Sequence, residues 1–300
     1  MYVVLGANGH TGSVVANKLL ARGKKVRVVG RNAAHLQPFI SKGAEAFPAD
    51  LTNAEALARA FAGAEAAYVL LPPNLTASNY RAFQDQVSDA IASAVKTSKI
   101  ENVVSLSSIG ADKESGTGPV AGLHNLEQKL DRIDGVNVLH LRAGYFMQNT
   151  LPQAHAIRTA GFTATPLRAD LKLAMIAARD VGDVAADELL ALNFKGKQTR
   201  ELQGQRDLDY TEATSIIARA IGKPDLKYIQ APEDQARPVL LQLGMSESAA
   251  DLILEMTRAL NSGYMRALEP RSARTTTPTS FETFVAEEFL PAYRQVQVAA

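Results

Sequence analysis

The run Gly6-Ala-Asn-Gly-His-Thr-Gly12 decides the fold of this chain. It follows the apolar stretch Tyr2-Val-Val-Leu5 and precedes Ser13-Val-Val-Ala-Asn-Lys-Leu-Leu20, so a glycine-rich turn joins a buried strand to an amphipathic helix. These residue types suit a dinucleotide pyrophosphate. Gly6 makes the tight turn out of the strand, Gly9 leaves room for phosphate against backbone N–H groups, and Gly12 lets helix and strand pack closely. The anion then rests on a helix N-terminus, at the positive end of the helix dipole. A glycine triplet alone matches many unrelated loops; its place at the first strand–helix junction makes it informative.

The end of the second strand, Lys25-Val-Arg-Val-Val29, selects among dinucleotides. A carboxylate there would bond the ribose hydroxyls of NAD, but this chain continues Gly30-Arg31-Asn32. A guanidinium offers a planar donor fork to a phosphate and no acceptor to a hydroxyl, so Arg31 points to the 2′-phosphate of NADP(H). The alternative is an ordinary solvated arginine.

A chain of 300 residues, 46% apolar and 21% charged, is long enough for one large core or two modest ones. Lys and Arg total 32 against 31 Asp and Glu, a net charge of +1 with no basic run, which argues against nucleic acid or an anionic membrane as partner. A small molecule is expected instead. With no cysteine there is no disulfide framework and no thiolate nucleophile, as befits a reducing compartment. No apolar run reaches membrane-span length and the N-terminus reads as a strand, not a leader, so the expected location is the cytoplasm.

Strands and helices alternate onward. A helix is expected over 33–41, a strand over 45–47, a helix over 53–61 opened by a capping box of Thr52 and Glu55, and a strand over 66–71. Tyr80, Phe83, Val87, Ile91 and Val95 recur on one face of a helix over 78–97, and the strand 102–106, the helix 123–133 and the strand 136–141 follow. This pattern is α/β, a Rossmann doubly wound parallel sheet. We assign residues 1–150 to a nucleotide-binding domain, with 179–193 packing back on it. Residues 151–300 are mainly a smaller α/β substrate lobe, in which 196–272 hold most of the lobe and a terminal helix over 279–294 opens with a second capping box, Thr279 and Glu282. Ligands of such sheets sit at the carboxyl ends of the strands, so substrate is expected between that edge and the lobe.

Four segments in order resemble one family: the opening GANGHTG, Ser105-Leu-Ser-Ser-Ile-Gly-Ala111, His124-Asn-Leu-Glu-Gln128 and Leu141-Arg-Ala-Gly-Tyr-Phe-Met-Gln-Asn149. The chain is similar to the NmrA-like branch of the atypical short-chain dehydrogenases/reductases, especially bacterial quinone-reductase-type members. The resemblance implies that Gly6, Asn8, Gly9, His10, Thr11 and Gly12 meet the pyrophosphate and nicotinamide ribose, and that Arg31 meets the 2′-phosphate. It places Asp50 and Leu51 beside adenine, and Leu71, Pro72 and Pro73 under the adenosine. Ser105 and Ser107 then fall at the strand end near the nicotinamide, with Tyr145, Phe146 and Asn149 where nicotinamide meets substrate. Phe146 also reads as a core residue, and Asn149 as a cap or turn residue.

One departure from the parent superfamily governs the chemistry. Its usual Tyr-x-x-x-Lys pair is missing: with Glu127 aligned to the family glutamate, those positions hold Pro119 and Leu123, and no tyrosine of the chain has lysine four residues on. Quinones and similar electron-poor aromatics accept hydride without a strong acid because the developing phenolate is a stable anion, leaving proximity and one donor to the protein. His124 and Tyr145 are the candidate donors. The other histidines, His10, His35, His140 and His155, make no helical pair with a carboxylate partner, so no metal site is expected, and no Gly-x-Ser-x-Gly elbow speaks for hydrolysis. The sequence is thus read as an NADPH-dependent reductase of quinone-like small molecules, monomeric or homodimeric. A non-catalytic NADP(H)-binding sensor or regulatory protein remains the alternative.

Overall fold

In the computed structural model, which describes residues 1–298, the chain opens with six parallel strands. They are Tyr2–Leu5 (β1), Val26–Gly30 (β2), Glu45–Pro48 (β3), Ala66–Val69 (β4), Asn102–Ser108 (β5) and Asn137–Ala143 (β6). The chain then makes Tyr145–Phe146 (β7), Thr163–Thr165 (β8) and Leu173–Ile176 (β9) outside this sheet, and returns to it with Lys197–Leu202 (β10). The seven strands run in the order β10-β6-β5-β4-β1-β2-β3, so the direction of winding reverses between β1 and β4, beside the glycine turn. Every residue of β1 and β4 is buried, as continuous apolar runs require when helices cover both faces.

Gly12–Ala21 (α1) packs on one face, with a 3-10 turn at Ala33–Leu36 and the single turn Gln37–Ile40 (α2) at its edge. Ala54–Phe61 (α3), Tyr80–Ser98 (α4) and Val120–Asp131 (α5) cover the other. After the short Gln153–Thr159 (α6), Ala178–Ala191 (α7) lies against α1. A Cβ at Gly182 would sit 2.6 Å from Val14 Cβ and 2.7 Å from the Thr11 carbonyl, so the two helices meet at a distance only glycine allows. The 66–71 strand expected from the sequence is shorter, and α5 starts at Val120, three residues before the expected start at 123.

The second layer contains Asp207–Leu208 (β11), Tyr210–Ile221 (α8), Tyr228–Gln230 (β12), Glu233–Gln242 (α9), Glu247–Asn261 (α10), Phe281–Phe284 (α11) and, after a π-turn, Leu290–Val298 (α12). Strands β11-β9-β7 and β12-β8 make two small sheets around a core that includes Met175, Tyr210, Phe281, Phe284 and Phe289. Residues 197–202, assigned from sequence to the smaller lobe, instead form the edge of the main sheet. The polar sequence Lys-Gln-Thr-Arg-Glu-Leu hid this strand, because its charges serve the chain that covers the edge. Arg200 Nε donates to the Arg274 carbonyl at 2.8 Å, and the Gln203 N–H donates to Thr275 at 2.7 Å.

Neither expected capping box forms as such. The caps are Asn53 and Ser280, one residue later, where extended backbone brings the side-chain oxygen to the N–H of Ala56 and of Thr283. Thr52 is held by an Asx turn, its N–H and hydroxyl both donating to Asp50 Oδ1 at 2.9 Å. Thr279 donates to buried Asp180, its hydroxyl at 2.6 Å and its N–H at 3.0 Å, tying the C-terminal helices to α7. Asp180→Ala leaves both donors unpaired in a buried place and should cost about 1–3 kcal/mol of stability, read as a lower midpoint in urea unfolding.

Candidate functional site

The glycine turn at the carboxyl end of β1 forms a cradle. Gly6 holds φ +62°, the Gly9 N–H donates to the Gly6 carbonyl at 2.9 Å, and the Ser13 N–H donates to Gly9 at 3.0 Å. A Cβ at Gly12 would stand 2.3 Å from the Gly6 carbonyl oxygen, whereas one at Gly9 would meet only that oxygen, at 3.3 Å. The turn is therefore closed tightly from behind and bare in front, where Asn8, Gly9 and His10 are exposed. Thr11 begins α1 without a side-chain cap, so the leading N–H groups of the helix, apart from that of Ser13, which donates to Gly9, are left for an anion. Its buried hydroxyl accepts from Tyr68 at 2.9 Å instead, and burial pushes the Tyr68 phenol well up, keeping it a donor. This cradle fits a pyrophosphate.

Arg31 follows β2 and is exposed, with no side-chain hydrogen bond or ion pair recorded among the described residues. Arg27, four residues earlier, is committed instead to Glu45 at 2.9 Å and to the Ala60 carbonyl at 2.5 Å. A Cβ at Gly30 would come within 3.7 Å of Asn8 Oδ1, which brings the end of β2 against the cradle. Leu71 and Pro72 are half-buried and Pro73 is exposed at the end of β4. Asp50 is exposed with one carboxylate oxygen used by Thr52, and Leu51 packs into the core under α3.

At the other end of the edge the structure sorts the candidates. Ser105 is fully buried, its hydroxyl unpartnered among the described residues, and Ser107, also buried, donates to Glu127 at 2.5 Å. Neither serine side chain lines a groove, because odd positions of β5 face α5. Glu127 also accepts a two-pronged contact from Arg142, at 3.0 Å from Nε and 2.6 Å from Nη2. The sequence carried both residues without a sign that they pair; a charge near the end of the largely apolar strand Val138 to Ala143 was the available signal.

His124, in the second turn of α5, is half-buried, with Nδ1 2.9 Å from the Ala111 carbonyl. A carbonyl only accepts, so Nδ1 carries the proton and the neutral ring presents Nε2 as an acceptor. The Tyr145 hydroxyl lies 2.9 Å from that of Tyr210, their rings edge to face at 6.2 Å. Burial raises the Tyr145 phenol, with hydrogen bonds to Tyr210 and Asn149 opposing, so it stays protonated. Tyr210, buried and raised far more strongly by burial, was not found from sequence. Either hydroxyl can donate in this pair; when Tyr210 donates, the Tyr145 proton is left for another acceptor. Phe146 packs on the α1 and α7 side of the core, and Asn149 is exposed. Met265 closes on the loop after β5, within 2.8 Å of where a Gly110 Cβ would be, beside an open cavity of about 440 Å³ lined by Ser115, Gly116, Glu255 and Tyr264. Among the described residues no group of three His, Asp or Glu side chains is placed to hold a metal, and no helix is long and apolar enough to cross a membrane.

The chain belongs to the NmrA-like family, whose model matches residues 2–290. It is 28% identical over 258 residues to an NAD(P)H azoreductase of Xenophilus azovorans, covering 85% of this chain and 86% of that one. It is 26% identical over 241 residues to a (4-alkanoyl-5-oxo-2,5-dihydrofuran-3-yl)methyl phosphate reductase of Streptomyces griseus, covering 80% of each. Among solved structures, an NADPH-dependent quinone oxidoreductase of Escherichia coli complexed with NADPH superposes with a TM-score of 0.81 at 21% identity, over 96% of this chain and 100% of that one. The Citrobacter sp. triphenylmethane reductase complexed with NADP(H) superposes with a TM-score of 0.79 at 17% identity, over 94% of this chain and 98% of that one. These structures share the fold.

Two outcomes follow for the cradle. Gly12→Val places side-chain atoms against the Gly6 carbonyl and should abolish nucleotide binding, measured by NADPH fluorescence. Arg31→Ala should weaken NADPH about tenfold to hundredfold, or about 1.5–3 kcal/mol, while leaving NADH affinity unchanged in the same titration.

Proposed function

We propose that this chain is an NADPH-dependent reductase that passes hydride to an electron-poor aromatic small molecule of quinone or azo type, without a Tyr-x-x-x-Lys pair. The observation that carries the reading is the bare glycine cradle with the uncommitted Arg31 beside it, at the reversal point of the sheet. The family membership and the azoreductase relative support reduction of aromatic substrates. A chain without cysteine suits the cytoplasm, where we place this activity.

Gly6, Gly9, Gly12 and the start of α1 would hold the pyrophosphate, and Arg31 the 2′-phosphate. When bound, the nicotinamide supplies the hydride. The protein then has to hold the acceptor close and place one donor at the oxygen or nitrogen that becomes an anion. Tyr145 suits that role. With Tyr210 donating to its oxygen from behind, the raised phenol keeps its own proton at ordinary pH for a bound acceptor. His124 donates from Nε2 only as imidazolium, because Nδ1–H is spent on Ala111.

The test is oxidation of NADPH by the purified protein with benzoquinone, naphthoquinone and an azo dye as acceptors. Saturable, NADPH-selective oxidation is expected, and tight binding with a nucleotide signal that persists across all acceptors would favour the sensor. Tyr145→Phe should lower kcat about tenfold or more with the NADPH dissociation constant unchanged. If His124 is the donor instead, His124→Gln lowers kcat about tenfold or more while Tyr145→Phe changes little.

A further inference from the structure

Below the substrate edge, three adjacent strands place a row of charged and polar side chains inside the sheet. Ser107 of β5 is in register with Arg142 of β6, and Arg142 is in register with Glu201 of β10. All of them except Arg142 are almost fully buried, as is Glu127, which reaches the row from α5. One guanidinium therefore stands between two buried carboxylates. Burial works against its charge, but the hydrogen bonds to Glu127 and the charges of Glu127, Asp112 and Glu201 outweigh that and raise it further. Glu201 is turned the other way, accepting the N–H groups of Leu268 and Glu269 at 2.8–3.0 Å.

Each partner of this row is anchored close to a residue that faces the edge. Glu127 lies three residues after His124 on α5, one helical turn away, and Arg142 lies three residues before Tyr145. Glu201 holds the backbone that follows Met265, which packs on Gly110. We propose that Arg142 is the positioning residue of this site. Its two-pronged grip on Glu127 sets the spacing between α5 and the β6–β7 junction, and hence between His124 and Tyr145, while its place beside Glu201 holds the 268–269 segment in step. The inference rests on the reductase reading for its kinetic consequence, but not for its geometry. A lysine keeps the charge at this position and loses the fork, which separates geometry from electrostatics.

The experiment compares Arg142→Gln, Arg142→Lys and Glu127→Gln with the parent chain in three measurements: quinone-dependent kcat, NADPH affinity by fluorescence, and the His124 ring by ¹⁵N NMR, assigned with His124→Gln. For all three variants kcat should fall at least about tenfold while NADPH affinity stays within about twofold, because a small displacement of aligned groups costs rate before binding. The His124 signal should lose its predominantly Nδ1–H character. Full rate in folded Arg142→Gln, full rescue by Arg142→Lys, or a parallel loss of NADPH affinity overturns the proposal. Should these variants not fold, Ser107→Ala removes only one bond from Glu127. It should lower kcat about two- to fivefold at unchanged NADPH affinity, and an unchanged kcat is then decisive against the proposal. If the parent chain reduces no acceptor, the reductase reading fails by itself. The NMR measurement still decides the positioning role, and an unaltered Nδ1–H tautomer in Arg142→Gln or Ser107→Ala sinks it.

Discussion

The first strand and the first helix meet so closely that a single methylene at Gly12 would lie 2.3 Å from the carbonyl of Gly6, and the rest of the molecule is arranged around that contact. Because no side chain intervenes, the N-terminus of α1 points straight off the end of β1 with its N–H groups free of side-chain caps. Gly182 repeats the device from the second half of the chain, letting α7 settle on Thr11 and Val14. The helix that receives an anion is thus clamped between a strand and another helix. Its position costs no reorganisation when a charged group arrives.

The polar chemistry is divided between two levels. At the surface of the strand edge, the side chains of Asn8, His10 and Arg31 make no hydrogen bond among the described residues, which is the expected condition of groups that meet a ligand. One layer below, Ser107, Glu127, Arg142 and Glu201 satisfy one another and the covering segment, at the desolvation cost that buried charges always carry. Such a cluster adds little to net stability compared with apolar packing, but its directional bonds tie α5 to β5 and β6, and β10 to the 268–269 segment.

Much of the main sheet was legible because period and punctuation agree in it. Apolar runs bounded by glycine, asparagine or aspartate mark β1 to β6, and the face of Tyr80, Val87, Ile91 and Val95 marks α4. The strand Lys197–Leu202 was not legible, because an edge strand whose charges are answered by a distant segment shows no apolar alternation. The caps slipped by one residue at Asn53 and Ser280 because several capping residue types stand side by side, and only backbone angles decide which oxygen reaches the free N–H.

By itself the sequence determined the glycine cradle, its strand and helix, the basic residue at the end of β2 and the lack of a Tyr-x-x-x-Lys pair, since each is a matter of residue type at short spacing. Only the tertiary structure decided which polar groups remain open. It turned Ser105 and Ser107 inward, sank Leu51 into the core, paired Glu127 with Arg142 and set Tyr210 behind Tyr145. The physical reason is that hydrogen-bond satisfaction and burial depend on neighbours tens of residues away in the chain, and these come together only when the sheet is assembled.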